Sequence, residues 1–135
     1  MNVTFTDKTD VVDGSGSRAA PAVTLSVDGV AVLQAFEANT FLSRLRGLHA
    51  YLPINDNEAL IIRPCSAVHS FTMPAAIDTV FVSASGEILE VKTLPVRRWC
   101  SVSGAVAVIE TNADVCQRLG IRRGAFLSRD TGVWK

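Results

Sequence analysis

The sequence predicts a mainly β domain, a single compact β-sandwich or partly open barrel with two short α-helices. Three observations carry this. Short runs of Val, Ile, Leu and Phe recur at intervals of roughly ten residues, the spacing of successive strands in sandwiches and barrels. Asp28-Gly29 and Ser85-Gly86 stand between pairs of such runs, where a hairpin needs residues tolerant of positive φ. Only two brief segments space their apolar residues in the helical manner.

Residues 1–21 open with Val3-Thr4-Phe5 and then become rich in Gly, Ser and Asp, the composition of a flexible N-terminal arm; residues 22–135 form the domain. Val23 to Val27 alternates, Asp28-Gly29 turns the chain, and Val30 to Phe36 returns as the second strand of a hairpin. Asn39 or Thr40 caps a helix whose apolar stripe is Phe41, Leu45 and Leu48, widened by Leu42. Arg44 and Arg46 flank that stripe, where their stems can lie on the core while the guanidinium reaches an acceptor. Ala59 to Arg63 reads as a buried strand stopped by Pro64. Cys65 to Met73 reads as a further strand with Cys65, Ala67, His69, Phe71 and Met73 on one face, so an imidazole sits in an apolar row. Pro74 ends it.

Ile77 to Val82 and Glu87 to Leu94 make a second hairpin across Ser85-Gly86, and Pro95 terminates it. Val96 to Cys100 reads as a loop with a basic and aromatic cluster. Gly104 to Glu110, small and branched, reads as a central strand. Asn112 caps a short helix over Ala113 to Leu119, with Asp114 in its first turn, closed by Gly120. Arg122-Arg123-Gly124 turns the chain into a last strand, Ala125 to Ser128, followed by a polar tail with Trp134.

Composition excludes several classes. Thirteen basic and thirteen acidic residues cancel, leaving no footprint for a nucleic-acid backbone. No apolar run approaches the ~20 residues that cross a bilayer, and Met1-Asn2-Val3-Thr4 lacks the basic start of a secretory signal, so a cytoplasmic location is expected. Cys65, Cys100 and Cys116 form an odd set without metal-ligand spacing; reduced thiols are expected, with no metal or other cofactor.

Several short motifs occur together: Arg44-Leu45-Arg46-Gly47-Leu48, Pro64-Cys65, Val68-His69, Met73, Ile77-Asp78-Thr79-Val80-Phe81, Leu94-Pro95, and Arg118-Leu119-Gly120-Ile121 with Gly124. In order and spacing they resemble the bacterial and archaeal family known as domain of unknown function 192, over about residues 36–127. The resemblance implies a mostly β fold of jelly-roll-like character. It implies no activity, because that family has no established biochemical function. The chain departs from the family pattern at His49, at Asn112-Ala113-Asp114, and at Gly124-Ala125, where the family usually has Gly-Asp and so one more carboxylate.

His69 can serve as a general base, a metal ligand or a hydrogen-bonded core histidine, and the last is favoured. On one straight strand Cys65 and His69 would stand roughly 13 Å apart, too far to share a metal or to act as nucleophile and base. Cys100 follows Arg97-Arg98-Trp99, where guanidinium groups can activate a thiol, though such a cysteine more often packs as a small hydrophobe. Cys116 is expected to pack. Asp78 and Glu110 interrupt apolar strand faces, so each needs a partner, and Arg44 and Arg46 are the natural donors. A polar clasp of Arg44, Arg46, Asp78 and Glu110, with Arg46 near both acids, is the expectation.

Three functional readings remain. The first is a non-catalytic binding or accessory module, holding a small ligand or partner peptide near His69, Met73, Arg97 and Trp99. The second is a hydrolase with His69 as base and Asp78 orienting it. The third is a fold in which these residues are structural only. No Gly-x-Ser-x-Gly, His-Glu-x-x-His or phosphate-loop motif is present, which favours the first reading over the second.

Overall fold

The computed structural model of the protein describes residues 21–38, 48, 51, 53–71 and 73–134. The arm before Pro21, the helix expected after Asn39, and with it Arg44, Arg46 and His49, lie outside the described residues. Ten elements follow in order: β1 Val23–Val27, β2 Val30–Glu37, β3 Glu58–Ile62, β4 Ala67–His69, β5 Ile77–Val82, β6 Ile88–Leu94, β7 Trp99–Ser101, β8 Ala107–Asn112, α1 Val115–Leu119 and β9 Leu127–Arg129. The fold is mainly β, with one helix among the described residues.

Seven strands form one mixed sheet in the order β6-β5-β8-β3-β2-β1-β9, while β4 and β7 form a separate antiparallel ribbon. The β2–β3 pair is parallel. β8 is central, as its small and branched residues predict, and β3, β5 and β8 are buried on both faces apart from the partly buried Asn112 at the end of β8. Both expected hairpins form. Asp28 and Gly29 take φ of 48° and 87°, the left-handed pair that a tight primed turn needs.

Alternation along the strands sends side chains to two cores. Leu25, Leu33, Ile61, Val80, Val82, Ile88, Ile109 and Leu127 fill one, together with Cys116 of α1. Phe36, Leu60, Ile62, Ile77, Phe81 and Val108 face the other, which is covered by Leu48, Tyr51 and Ile54 and by the inner side of the ribbon through Val68 and Cys100.

The sheet curls around the first core without closing. Its outer strands meet at one end only, where Glu87 bridges Phe126, Ile88 N–H donates to Ala125 O at 2.8 Å and Leu127 N–H to Gly86 O at 2.8 Å. Gly86 is required there. Its φ is 94°, and a Cβ would stand 2.7 Å from Leu127 O.

Three expectations are corrected. Cys65 to Met73 is not one straight strand: β4 holds three residues, and the backbone turns at Ser70, whose carbonyl accepts Met73 N–H at 3.1 Å. Trp99 and Cys100 belong to a strand rather than a loop, because β7 pairs with β4. Trp134 is not part of a loose polar tail; it is buried in the first core, with its indole N–H on Leu127 O at 2.7 Å. No helix among the described residues is long and apolar enough to cross a membrane.

Candidate functional site

The β4–β7 ribbon carries two of the four candidate contact residues, His69 and Trp99. Val68 lies opposite Cys100 and His69 opposite Trp99. Opposed residues of an antiparallel pair share a face, so with Val68 and Cys100 on the core, His69 and Trp99 point outward. Phe71, two residues beyond His69, stacks on the imidazole with centroids 5.4 Å apart. Its backbone N–H donates to His69 Nδ1 at 3.3 Å, which leaves the ring proton of a neutral imidazole on Nε2. Trp99 is 64% and Phe71 57% exposed, unusual for side chains of that size.

Ser70 holds the adjoining loop, a role that no sequence pattern signals. Fully buried, its hydroxyl binds Pro95 O and accepts Arg98 N–H at 3.0 Å, while its carbonyl accepts Arg97 N–H at 3.2 Å. Arg97 is thereby fixed at a φ of 61° and, like Arg98, exposed beside Trp99. Met73 does not join this surface. The turn after Ser70 sends it into the second core, where it is 9% exposed.

Asp78 and Glu110 do not form a common clasp. In the β5–β8 register Thr79 lies opposite Glu110 and Asp78 opposite Thr111, so the two acids point to opposite faces of the sheet. A single guanidinium cannot reach both. Asp78 Oδ1 accepts the Thr93 hydroxyl at 2.7 Å, and Oδ2 accepts Cys116 N–H at 3.0 Å. It also lines a cleft of about 470 Å³ with Thr93, Glu90, Cys116 and Arg122. Its role is to close the start of α1, since the capping position is Asp114, in left-handed geometry and without a side-chain bond. Asn112, the cap expected from sequence, instead donates to Ile54 O and Asp56 Oδ1.

Burial, then the Asp78 charge, pushes the Cys116 thiol up to about 12. Glu110 sits on the other face, wholly buried, with Oε1 accepting Leu48 N–H at 2.7 Å. Burial raises its carboxyl to about 7 against that one opposing hydrogen bond. His69 and Asp78 are likewise separated, because the ribbon covers the second core and Asp78 faces the first.

A third polar group escaped sequence reasoning. Glu37 Oε2 accepts both Arg63 Nε at 2.7 Å and Arg129 Nη1 at 3.1 Å. Burial works to raise the Glu37 carboxyl, yet the two arginine hydrogen bonds and their charges hold it below its ordinary range. Arg129 lies over the Trp134 ring at 5.4 Å, and Arg63 Nη1 donates to Trp134 O at 3.2 Å. Beside them opens a cleft of about 750 Å³, lined by Arg63, Pro64, Cys65, Ser66 and Ala67 on one strand connection and by Ala105, Val106 and Trp134. These residues lie far apart in the chain, so no local motif could have announced the site. Among the described residues no three His, Cys, Asp or Glu side chains gather as a metal site would require.

Comparison with known proteins follows the same outline. Two crystal structures share the fold: a Sinorhizobium meliloti 1021 protein at TM-score 0.69 and 17% identity, covering 82% of this chain and 95% of that one, and a Novosphingobium aromaticivorans DSM 12444 protein of unknown function at TM-score 0.69 and 20% identity, covering 94% and 99%. A UPF0127 protein of the archaeon Thermococcus sibiricus (strain DSM 12597 / MM 739) is 34% identical over 94 residues, 64% of this chain and 60% of the relative, so the chain spans about three fifths of that relative's length. The model of the family described as Uncharacterized ACR, DUF192, matches residues 23–128 and so takes in the first hairpin as well as the motifs that begin at Arg44. The chain belongs to the DUF192 family.

Proposed function

We propose that this protein is a non-catalytic binding module whose contact surface is the outward face of the β4–β7 ribbon. One observation carries the reading: His69, Phe71 and Trp99 share a solvent-facing side, with Trp99 64% exposed, and Arg97 and Arg98 adjoin it. Large aromatics and arginine are the side chains that dominate binding energy at interfaces. Here they are mounted on a ribbon whose other face is anchored in a core, so their positions are set before a partner arrives. Exposed aromatic rings beside two arginines suit an extended peptide or a protein loop with aliphatic and acidic side chains. The separation of His69 from Asp78 weighs against the hydrolase reading, which needs the acid to orient the base.

Peptide display on immobilised wild type and on Trp99→Ala provides the test. Enrichment of acidic-aliphatic sequences that bind wild type and lose at least about tenfold in affinity on Trp99→Ala is the expected result, since a hot-spot aromatic contributes about 2 kcal/mol or more. Peptides bound equally by both proteins would sink the proposal.

A further inference from the structure

The Glu37, Arg63, Arg129 cluster carries more positive than negative charge. Two guanidinium groups share one carboxylate oxygen, so this trio of described residues keeps a net positive charge beside the 750 Å³ cleft. Arg129 has a 5% exposed side chain and is committed to Glu37 and to the Trp134 ring, and its buried Nε has no hydrogen-bond partner among the described residues. Arg63 differs. Its side chain is 31% exposed and it lines the cleft. Of the five N–H bonds of a guanidinium, Nε spends one on Glu37 and Nη1 one on Trp134 O. The remaining three, including both on Nη2, meet no acceptor among the described residues.

Pinned at Nε and Nη1, Arg63 has its plane fixed while its free N–H groups remain available, an arrangement suited to a two-point contact with a planar anion. The rest of the lining selects the class of anion. Pro64, Ala67, Ala105, Val106 and Trp134 supply apolar wall, and Ser66 an additional hydroxyl. Inorganic ions gain nothing from that wall, whereas an organic acid can lay a ring or short chain along it and gain about 25 cal/mol for each Å² of apolar surface buried.

We propose that the cleft between Arg63 and Trp134 binds a small organic carboxylate, with its charged end on Arg63 and its apolar body against Pro64, Val106 and Trp134. This is independent of the ribbon surface proposed above, which involves neither Arg63 nor Trp134.

The test is titration of the full chain, uniformly labelled with 15N, with sodium benzoate, followed by amide chemical shifts. Benzamide, its uncharged counterpart, and inorganic phosphate, a charge without an apolar body, are titrated in parallel. Saturable shifts at Arg63, Cys65 to Ala67, Ala105, Val106 and Trp134 are expected with benzoate, with no saturation by the other two at the same concentrations. Arg63→Gln should weaken benzoate about tenfold or more, the loss of one charge-assisted contact. Ser66→Trp obstructs the cleft without touching the bonds of Arg63 or Glu37, and should abolish the response even if Arg63→Gln does not fold. Trp99→Ala should leave it intact, so failure here and failure of the ribbon reading are told apart. An equal response to benzamide or phosphate, shifts centred on Phe71 and Trp99, or undiminished binding by Ser66→Trp would each overturn the proposal.

Discussion

Asp78 Oδ2 accepts the backbone N–H of Cys116 at 3.0 Å, so an acid near the start of strand β5 closes the first turn of α1. The helix has no capping side chain of its own, and its start is satisfied from another element. The other oxygen holds Thr93 on the neighbouring strand β6, so one carboxylate ties three elements together.

Asp78→Ala removes both acceptors and leaves the buried Cys116 N–H without its partner, while the exposed Thr93 hydroxyl can turn to water. A loss of about 3 kcal/mol in urea unfolding is expected. Asp78→Asn keeps one acceptor oxygen, and the Thr93 hydroxyl can turn to accept from the amide, so about half that loss is expected. Equal midpoints for wild type and Asp78→Ala would mean that α1 does not depend on this carboxylate.

Burial first, and the Asp78 charge second, make Cys116 the least reactive of the three thiols. Burial and the neighbouring Asp78 charge push it to about 12, whereas Cys65 and Cys100 are partly exposed. Alkylation with iodoacetamide at pH 8, read by peptide mass spectrometry, should modify Cys116 only after denaturation. Native-state labelling of Cys116 at the rate of Cys100 would refute this.

Glu110 gives the fold a pH dependence of known sign. Its carboxyl lies at about 7 in the folded chain and at an ordinary 4.5 when exposed, so the folded state binds the proton more tightly. The contribution is full below 4.5, declines as pH rises to 7, and is absent above. Glu110→Gln keeps an acceptor for Leu48 N–H and removes the titration. The variant should be the more stable by on the order of 3 kcal/mol above pH 7, with the difference shrinking toward pH 4.5. A pH-independent difference would contradict the assignment.

Gly86 and Gly29 separate backbone strain from contact. Both have positive φ, but a Cβ at Gly29 meets nothing within 4 Å, while at Gly86 it meets Leu127 O at 2.7 Å. Gly29→Ala is expected to lose about 1 kcal/mol and Gly86→Ala about 3 kcal/mol, by thermal or urea unfolding. Equal losses would mean that the sheet edges yield at Gly86.

Removing residues 1–20 is expected to leave the thermal midpoint nearly unchanged. β1 begins at Val23 and finds both its neighbours, β2 and β9, within the domain. A large fall would assign Val3-Thr4-Phe5 a place in the sheet.

Local chemistry is what the sequence determined. Branched and apolar runs made the strands, Asp28-Gly29 and Ser85-Gly86 made the hairpins, Gly120 closed α1, and the joint motifs indicated the family, because each depends on residues close in the chain. Alternation also placed Asp78 and Glu110 correctly within their own strands. Tertiary structure alone decided what those residues meet. A register set between β5 and β8 sent the two acids to opposite faces, a turn at Ser70 separated Met73 from His69, and Glu37, Arg63 and Arg129 met from three distant strands or strand ends. The physical reason is the two-residue period of a strand: it fixes which residues share a side, but not which side faces a given partner, and a one-residue difference in pairing reverses every contact.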